Sequence, residues 1–524
     1  MRQRRPAEVC GWLGAGDPGS RSNCSPSSRR RRWSIADKTK MVGCHGNSRG
    51  RTDDRNTMMS MRGHHAVVLG ASMGGLLAAR VLADFYHSVT IIERDNPPEV
   101  AGNRRGVPQG RHIHLLWGRG SRVLDGLFPG FSAELIAAGA PSFDGDLSKI
   151  YINTGGHPLP PSGRIKNFSL LTPSRPMLEC HVRRRLLALR NVNMLAEHDF
   201  VQPTCTAAQD RVTGALVRSH ATGAQKELEA DLVVDATGRG ARTPTFLETM
   251  GYGRPAEDCL DVRLAYSSQS LRLPPDALRE TAVIVGPVAG RPTGVGILRN
   301  ENNSWMFTVS GMAGREPPSG LPEMFSYIEE FAPAHVVAAM REGEPLGAVV
   351  GHRLPTSRWR RYDKMRRFPR GLLVLGDAIC SLNPIYGQGM TVAALEALAL
   401  QRCLQRGEAD LARHFFGAAA KIVDDAWQLA TGADLSLPEV EGPRPLPVRI
   451  INNYVGRVQA TAERDIVVAE RLSSVVGLIE RPGRLLSPMI MARVAGAGMT
   501  FRRPPSLRPP GAQACERATA NRAR

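Results

Sequence analysis

His65-Ala66-Val67-Val68-Leu69-Gly70-Ala71-Ser72-Met73-Gly74-Gly75 is the stretch whose reading decides the fold. Its first five residues are an apolar run of the kind that forms a buried parallel strand. A glycine-rich turn follows, and Leu76-Leu77-Ala78-Ala79-Arg80-Val81-Leu82-Ala83 then reads as a helix. A second strand, Ser88-Val89-Thr90-Ile91-Ile92, ends at Glu93. Strand, turn, helix, strand and acid in this order make a dinucleotide-binding unit. Gly70 permits the tight turn, and Gly75 lets helix and strand pack closely. A pyrophosphate at the helix N-terminus meets free N–H groups and the favourable end of the dipole. Glu93, 18 residues after Gly75, is placed for the ribose hydroxyls. Ser72 replaces the middle glycine of GxGxxG; it is small enough for backbone approach, and its hydroxyl can donate to a phosphate.

Two further signals lie downstream. Residues 194–201, 212–219 and 226–230 read as short strands of a β-meander, leading into Asp231-Leu232-Val233-Val234-Asp235-Ala236-Thr237-Gly238. Gly371-Leu372-Leu373-Val374-Leu375 is another buried strand, followed by Gly376-Asp377-Ala378 and by Asn383-Pro384-Ile385-Tyr386-Gly387-Gln388-Gly389-Met390. A helix is expected over residues 391–404, with apolar positions at 392, 395, 398 and 400. Taken alone, Asp377 reads equally as a helix cap.

GxSxxG with a terminal Glu, then a DATG turn, then GD…P…GQG opening a helix resembles the FAD-dependent aromatic hydroxylase and epoxidase superfamily. The resemblance covers about residues 63–430 and implies an α/β fold. Its parts are a Rossmann-like FAD-binding domain of glutathione-reductase type, an inserted β-sheet substrate domain and a helical C-terminal region. It implies FAD contacts at Gly70, Ser72, Gly74, Gly75, Glu93, Arg94, Arg111, Arg175, Asp235 and Gly238. Asp377 would bind the ribityl chain. Gly387, Gln388, Gly389 and Met390 would bring backbone N–H groups to the flavin pyrimidine end, and Pro384 would face the isoalloxazine. Ser174 is the expected N-cap of a helix over residues 172–190, whose start places Arg175 near the flavin. Val107-Pro108-Gln109-Gly110-Arg111-His112-Ile113-His114 is similar to a stretch in the branch related to polyether-type epoxidases. There it opens a helix, here residues 114–127, and leaves His112 and His114 either facing the active site or as surface and capping histidines. Arg239 and Arg242 follow the DATG turn where the hydroxylases carry a DG motif serving FAD and NADPH, so the donor stays open between NADPH, NADH and a separate reductase.

Residues 262–273, 281–288, 294–298 and 305–309 read as strands which, with residues 150–153, form the sheet over the flavin face. Their composition offers no charged pair for a carboxylate, so an apolar aromatic, polyene or prenyl-type substrate is expected. The implied reaction is flavin reduction by NAD(P)H and oxygen transfer from a C4a-hydroperoxide, by hydroxylation or epoxidation. Competing readings are a geranylgeranyl-reductase-like reductase of prenyl double bonds and a non-catalytic flavin- or nucleic-acid-binding protein. The WxWxIP segment of flavin-dependent halogenases is absent. Expected boundaries are 63–143, 171–257 and 363–435 for the FAD-binding domain, 144–170 and 258–362 for the substrate domain, and 436–501 for the helical region.

Charge bears on the nucleic-acid reading. The 524 residues carry a net +19. Residues 1–62 account for +9 of this and residues 502–524 for +5, which leaves a near-neutral +5 for residues 63–501. Lysine is rare, 7 against 61 arginines, which looks like codon bias rather than a phosphate-binding surface. Both ends read as unfolded and basic. Three readings stand for residues 1–62: a transit peptide, a nucleic-acid or membrane arm, or a segment outside the native protein, with Met58, Met59 or Met61 as start. The nine cysteines form no CxxC pair, and no metal is expected. No apolar run has transmembrane length, so a cytoplasmic location is expected, with peripheral membrane association through residues 446–494 as an alternative. Oligomeric state stays open.

Overall fold

The computed structural model describes residues 61–166, 168–407 and 409–500. The tail 502–524, nearly all of the basic extension, and the candidate starts Met58 and Met59 lie outside the described residues.

β1 (Gly63–Leu69), α1 (Met73–Leu82) and β2 (Tyr86–Ile92) open the fold. Next come α2 (Gly118–Leu127), β3 (Ile150–Thr154), α3 (Arg175–Leu187) and β4 (Val192–Leu195). β5 (His198–Cys205), β6 (Val212–Ser219) and β7 (Gln225–Glu229) form a separate antiparallel meander. β8 (Leu232–Asp235) is followed by β9 (Glu257–Arg272), β10 (Ala282–Val285), β11 (Thr293–Arg299) and β12 (Ser304–Gly311). After α4 (Leu321–Ile328) and α5 (Ala334–Arg341) come β13 (Val350–Arg360), β14 (Leu372–Val374) and β15 (Cys380–Ser381). The helices α6 (Gly389–Arg406), α7 (Leu411–Asp434), α8 (Leu446–Ala462), α9 (Ile466–Val476) and α10 (Pro488–Thr500) complete the described chain.

The first sheet is five-stranded and parallel, in the order β14-β8-β1-β2-β4. Its strands are continuous apolar runs because both faces are covered. Ala66, Val67 and Val68 in β1 and Val233 and Val234 in β8 have no exposed surface, and Leu76, Leu77, Leu400 and Val423 seal the faces.

The second sheet is nine-stranded and largely antiparallel. Its main path runs β15-β13-β9-β12-β11-β10-β3, with His157–Pro158 continuing the β3 edge. Side chains alternate across it. Trp305, Phe307 and Val309 of β12 point back against Met324, Ile328, Val336 and Met340 of α4 and α5. Met306, Thr308 and Ser310 occupy the opposite face, as do Tyr266 and Ser268 of β9. That front face looks toward the parallel sheet's C-terminal turns.

Several boundaries differ from the sequence expectation. The helix expected over residues 114–127 begins only at Gly118, because Leu116–Trp117 pair as a short strand with Leu170–Leu171. His114 therefore lies in a loop. The strand expected over residues 194–201 divides into β4 and β5 at Glu197, whose φ is +56°. β13 is an interior strand that sequence patterning missed, since it carries Gly351, Pro355 and three arginines. Pro355 is tolerated because it falls opposite a β-bulge in β9, where the pairing skips between Asp261 and Leu264. α4 and α5 were also not anticipated. Among the described residues no helix is long and apolar enough to cross a membrane.

Candidate functional site

The turn between β1 and α1 is built by glycine at positions where nothing else fits. Gly70 has φ +95°, and a Cβ on Gly75 would stand 1.8 Å from the Gly70 carbonyl oxygen. Gly74 faces the other signature turn, where a Cβ on it would stand 3.9 Å from the Gly376 Cα. Ser72 is the N-cap of α1, but its hydroxyl does not cap the helix. It accepts a hydrogen bond from Arg175 Nη2 at 2.7 Å and donates to Glu179 Oε2 at 3.3 Å. The first N–H groups of α1 thus stay free of side-chain caps, beside a buried arginine, which suits an anion.

Glu93 lies at the end of β2, but its carboxylate turns inward. Oε2 accepts from the Ala71 N–H at 2.8 Å and Oε1 from the Asp95 N–H at 3.0 Å. Arg104 Nη1 lies 2.9 Å from Glu93 Oε2, and the same guanidinium donates to Glu179 Oε1 and to the Ala71 carbonyl, both at 2.7 Å. Sequence reasoning missed Arg104 and Glu179. A cavity of about 600 Å³ opens in front of this cluster, bounded by Ser72, Glu93, Arg94, Phe200, Thr237 and Arg242. Arg94 stands at its rim, paired loosely with Asp199 at 3.6 Å.

Asp235 is almost fully buried and spends its carboxylate on its own turn. It accepts from Thr237 N–H and Thr237 Oγ1, and from Thr243 Oγ1 at 2.5 Å. Its part is to shape the turn that presents Thr237 and Gly238, whose φ is +78°. Arg111 is exposed on a turn of 3-10 helix at Pro108–Arg111 and is not brought into the cavity lining.

The remaining candidates start with the turns before α6. Asp377 is surrounded by protein, yet its side chain stays accessible. Burial raises its pKa, and Arg175 and Arg239 oppose that rise. Pro384 and Gly389 are also exposed, and a Cβ on Gly389 would come 4.0 Å from Asp377 Oδ1. Gly387, at φ +64°, turns the chain into α6. The first N–H groups of α6 at Gly389 and Met390 have no intrahelical partner. Gln388 is buried, its Nε2 donating to the Val476 carbonyl at 3.0 Å while its Oε1 finds no partner.

His112 and His114 stand on the segment before α2. Ile113 rests on Gly296 of β11, where a Cβ would stand 2.5 Å from its Cδ1. His114 Nδ1 pairs with the His112 carbonyl at 3.0 Å. Burial lowers His114 to about 3, with Arg175 adding to the effect. Burial likewise lowers His112 to about 4, assisted by His352 and Arg111. Burial and Arg239 lower His352. These influences close a ring: Asp377, Arg175, His114, His112, His352, Arg239 and back to Asp377. Geometry joins the histidines directly: His112 lies 5.7 Å from the His352 ring, and His114 is tied to the His112 carbonyl.

Supports beneath the turns are buried acids. Glu396 of α6 accepts from the Gly376 N–H at 2.6 Å, and burial pushes it up to about 8. Asp434, ending α7, accepts from Tyr386 Oη at 2.6 Å and Asn383 Nδ2 at 2.8 Å, and burial pushes it up to about 7.

Two sheets joined in this way, with glycine turns at a helix N-terminus on each side, make the fold of solved flavin-dependent monooxygenases, and the chain belongs to the family of Protein Rv3254. Protein Rv3254 of Mycobacterium tuberculosis is 41% identical over 416 residues, covering 78% of this chain and 88% of that protein. Kynurenine 3-monooxygenase of Salinispora tropica is 28% identical over 366 residues, 66% of this chain and 74% of that protein. Among solved structures, the flavin-dependent brominase Bmp2 aligns over 84% of this chain and 99% of its own, with TM-score 0.59 at 14% identity. The p-nitrophenol 4-monooxygenase PnpA of Pseudomonas putida DLL-E4 aligns over 80% and 99%, with TM-score 0.58 at 15% identity. No family model matches the chain.

Proposed function

We propose that the protein is a monooxygenase that inserts one oxygen atom of O2 into an apolar organic molecule, by hydroxylation or epoxidation, with FAD as cofactor and NAD(P)H as reductant. The carrying observation is the pair of glycine turns at the N-termini of α1 and α6, neither helix start capped by a side chain, with buried Arg175 beside the first and Asp377 beside the second. FAD fits the donor set. Gly70, Ser72, Gly74 and Gly75 would hold the pyrophosphate at α1, and the 600 Å³ cavity at Glu93 and Arg94 would take the adenosine. Asp377 and Arg175 would meet the ribityl chain and flavin edge, with Pro384 against the ring and Gly387, Gln388, Gly389 and Met390 at its pyrimidine end. When bound, FAD supplies the electron transfer and the oxygen activation.

The chain's own part is orientation and electrostatics. α6 directs its N-terminal dipole at the place where negative charge develops on reduction. Glu396 holds the turn at Gly376, and Asp434 the turn at Asn383, from beneath. The neutral histidines and the sheet keep the substrate side poor in charge, which favours an apolar substrate. Arg239 is engaged by the Thr356 carbonyl at 2.7 Å and Ser381 Oγ at 3.2 Å, and Arg242 lies 5.0 Å from the Phe246 ring. Arg242, at the cavity edge, is the better placed of the two for a nucleotide phosphate.

The test is spectroscopic. The purified protein should carry a yellow flavin band that bleaches with NADPH or NADH and returns with O2. Asp377→Ala should lose at least about tenfold in FAD affinity, the scale of a hydrogen bond to a charged group. A colourless protein that takes up no added FAD ends the reading. Turnover without oxygen uptake transfers it to reduction of a prenyl double bond.

A further inference from the structure

The C-terminal helices share one core and leave an outer face uncovered. Val458 and Ala462 of α8, Val468 and Leu472 of α9, and Ile490 and Val494 of α10 pack inward together. Their outer side carries apolar residues too. Of the eleven exposed large apolar side chains among the described residues, seven fall between Leu446 and Met491. Apolar side chains scattered singly over a surface need no explanation, but a concentration on one module does. Leu446 is 65% exposed and Ile450 58%. Helical spacing puts them in order. Leu446, Ile450 and Tyr454 stand four residues apart in one row, and Arg449, Asn453 and Arg457 form the row beside it. The two rows line a groove of about 510 Å³. Tyr454 Oη donates to the Leu485 carbonyl at 2.7 Å, which ties the segment of Arg484, Leu486 and Met489, all exposed, to the same helix.

Charge decides what covers this face. Residues 444–497 carry eight arginines and four acids. Three of the acids are already paired: Glu463 with His157, Asp465 with Arg493, and Glu480 with Arg471. Arg449, Arg457 and Arg484 are exposed and have no acidic partner among the described residues. A second copy of the chain would set these arginines against their own kind. The tail at residues 502–524 adds six arginines and one glutamate, so it does not supply the missing negative charge. Phosphates layered over hydrocarbon supply both needs: guanidinium heads meet the phosphates while their stems and the aliphatic row lie in the apolar layer below.

We propose that the outer face of α8, with the Arg484–Met489 segment, docks on a lipid bilayer that contains anionic lipid. Leu446, Ile450, Leu486 and Met489 enter the acyl boundary, and Arg449, Arg457 and Arg484 stand at the phosphates. The docking goes beyond the monooxygenase reading and holds whatever the reaction is. The module that docks is fastened to the site: Gln388 Nε2 donates to the Val476 carbonyl at 3.0 Å, and Arg119 Nη1 to the Ile479 carbonyl at 3.1 Å. The bilayer, where apolar molecules collect, thus lies against the helices that support the start of α6.

Co-sedimentation of the full-length protein with lipid vesicles tests it. Vesicles of equal parts phosphatidylcholine and phosphatidylglycerol should bind the protein at least about tenfold tighter than phosphatidylcholine alone. Two triple variants locate the contact: Leu446→Ser, Ile450→Ser, Leu486→Ser in one, and Arg449→Gln, Arg457→Gln, Arg484→Gln in the other. Each should lose about tenfold or more in affinity for the mixed vesicles at an unchanged melting temperature, because all six side chains are exposed. The basic extension and tail are intact in both variants, so binding carried by them would survive the substitutions. Wild-type affinity in either variant overturns the proposal, as does equal binding to the two vesicles or binding to neither. The last outcome would give the face to an acidic protein partner. The readout needs neither flavin nor turnover, so its failure and that of the monooxygenase reading are distinguishable.

Discussion

Arg104 shows what a single buried charge does here. Its side chain is 5% exposed, and it ties Glu93, Glu179 and the Ala71 carbonyl together behind the nucleotide turn. Removing it strands the buried Glu93 carboxylate without a counter-charge and leaves Glu179 only Arg175, at 3.3 Å. Arg104→Met should therefore cost about 3–5 kcal/mol of stability, measured by denaturant unfolding, and weaken FAD retention. Arg104→Lys should recover little, because an ammonium cannot reproduce the guanidinium fork. Full stability in Arg104→Met would refute the assignment. None of this was legible in sequence. Glu179 lies 75 residues from Arg104 and was read only as part of a helix, and an isolated arginine in a polar loop carries no periodic signal. Arg175 was legible because it stands at a recognisable helix start. Tyr266 and His352 were hidden because an inward-facing ring in a strand reads as packing.

At the level of elements, what the sequence revealed was the local part. β1, the glycine turn, α1 and β2 were read in the right order and to within three residues, since period, turn chemistry and helix start agreed there. The same agreement gave α3, whose Ser174 Oγ accepts from the Met177 N–H at 3.2 Å as an N-cap should. β13 was invisible because its stability comes from ten paired positions with β9 and not from its own composition. The loop holding His114 was mistaken for helix because residues 114–117 are apolar enough to extend one, while long-range pairing with Leu170–Leu171 takes them away. The glycine turn yields a prediction at this scale. Gly75→Ala places a methyl group 1.8 Å from a backbone oxygen, and backbone cannot step aside as a side chain can. α1 must lift from β1, so we expect destabilisation of more than about 2 kcal/mol and loss of bound flavin. A soluble, fully flavinylated Gly75→Ala protein would show that α1 adjusts freely.

Over the whole molecule, buried acids and buried histidines set opposite limits on stability. Glu396 and Asp434 are raised to about 8 and about 7, so the folded state keeps protons that the unfolded chain has already released. Their contribution is complete below the ordinary carboxylate range and is lost as pH rises through 7 and 8. His112 and His114 are lowered to about 4 and about 3, so the unfolded chain takes up protons that the folded state refuses. Their contribution is complete above the ordinary histidine value of 6.5 and is lost as pH falls toward 4 and 3. Between about pH 4.5 and 6.5 the two pairs work against each other, leaving a plateau. Above it only the acids act, each removing up to about 1.4 kcal/mol per pH unit until it ionises. The melting temperature should accordingly be flat from about pH 5 to 6.5 and fall toward pH 8.5. In the Glu396→Gln, Asp434→Asn double variant the amides preserve most of the shape and cannot titrate, so the alkaline decline should vanish while the acid limb stays. An alkaline decline of wild-type size in that variant would place its origin outside these two acids.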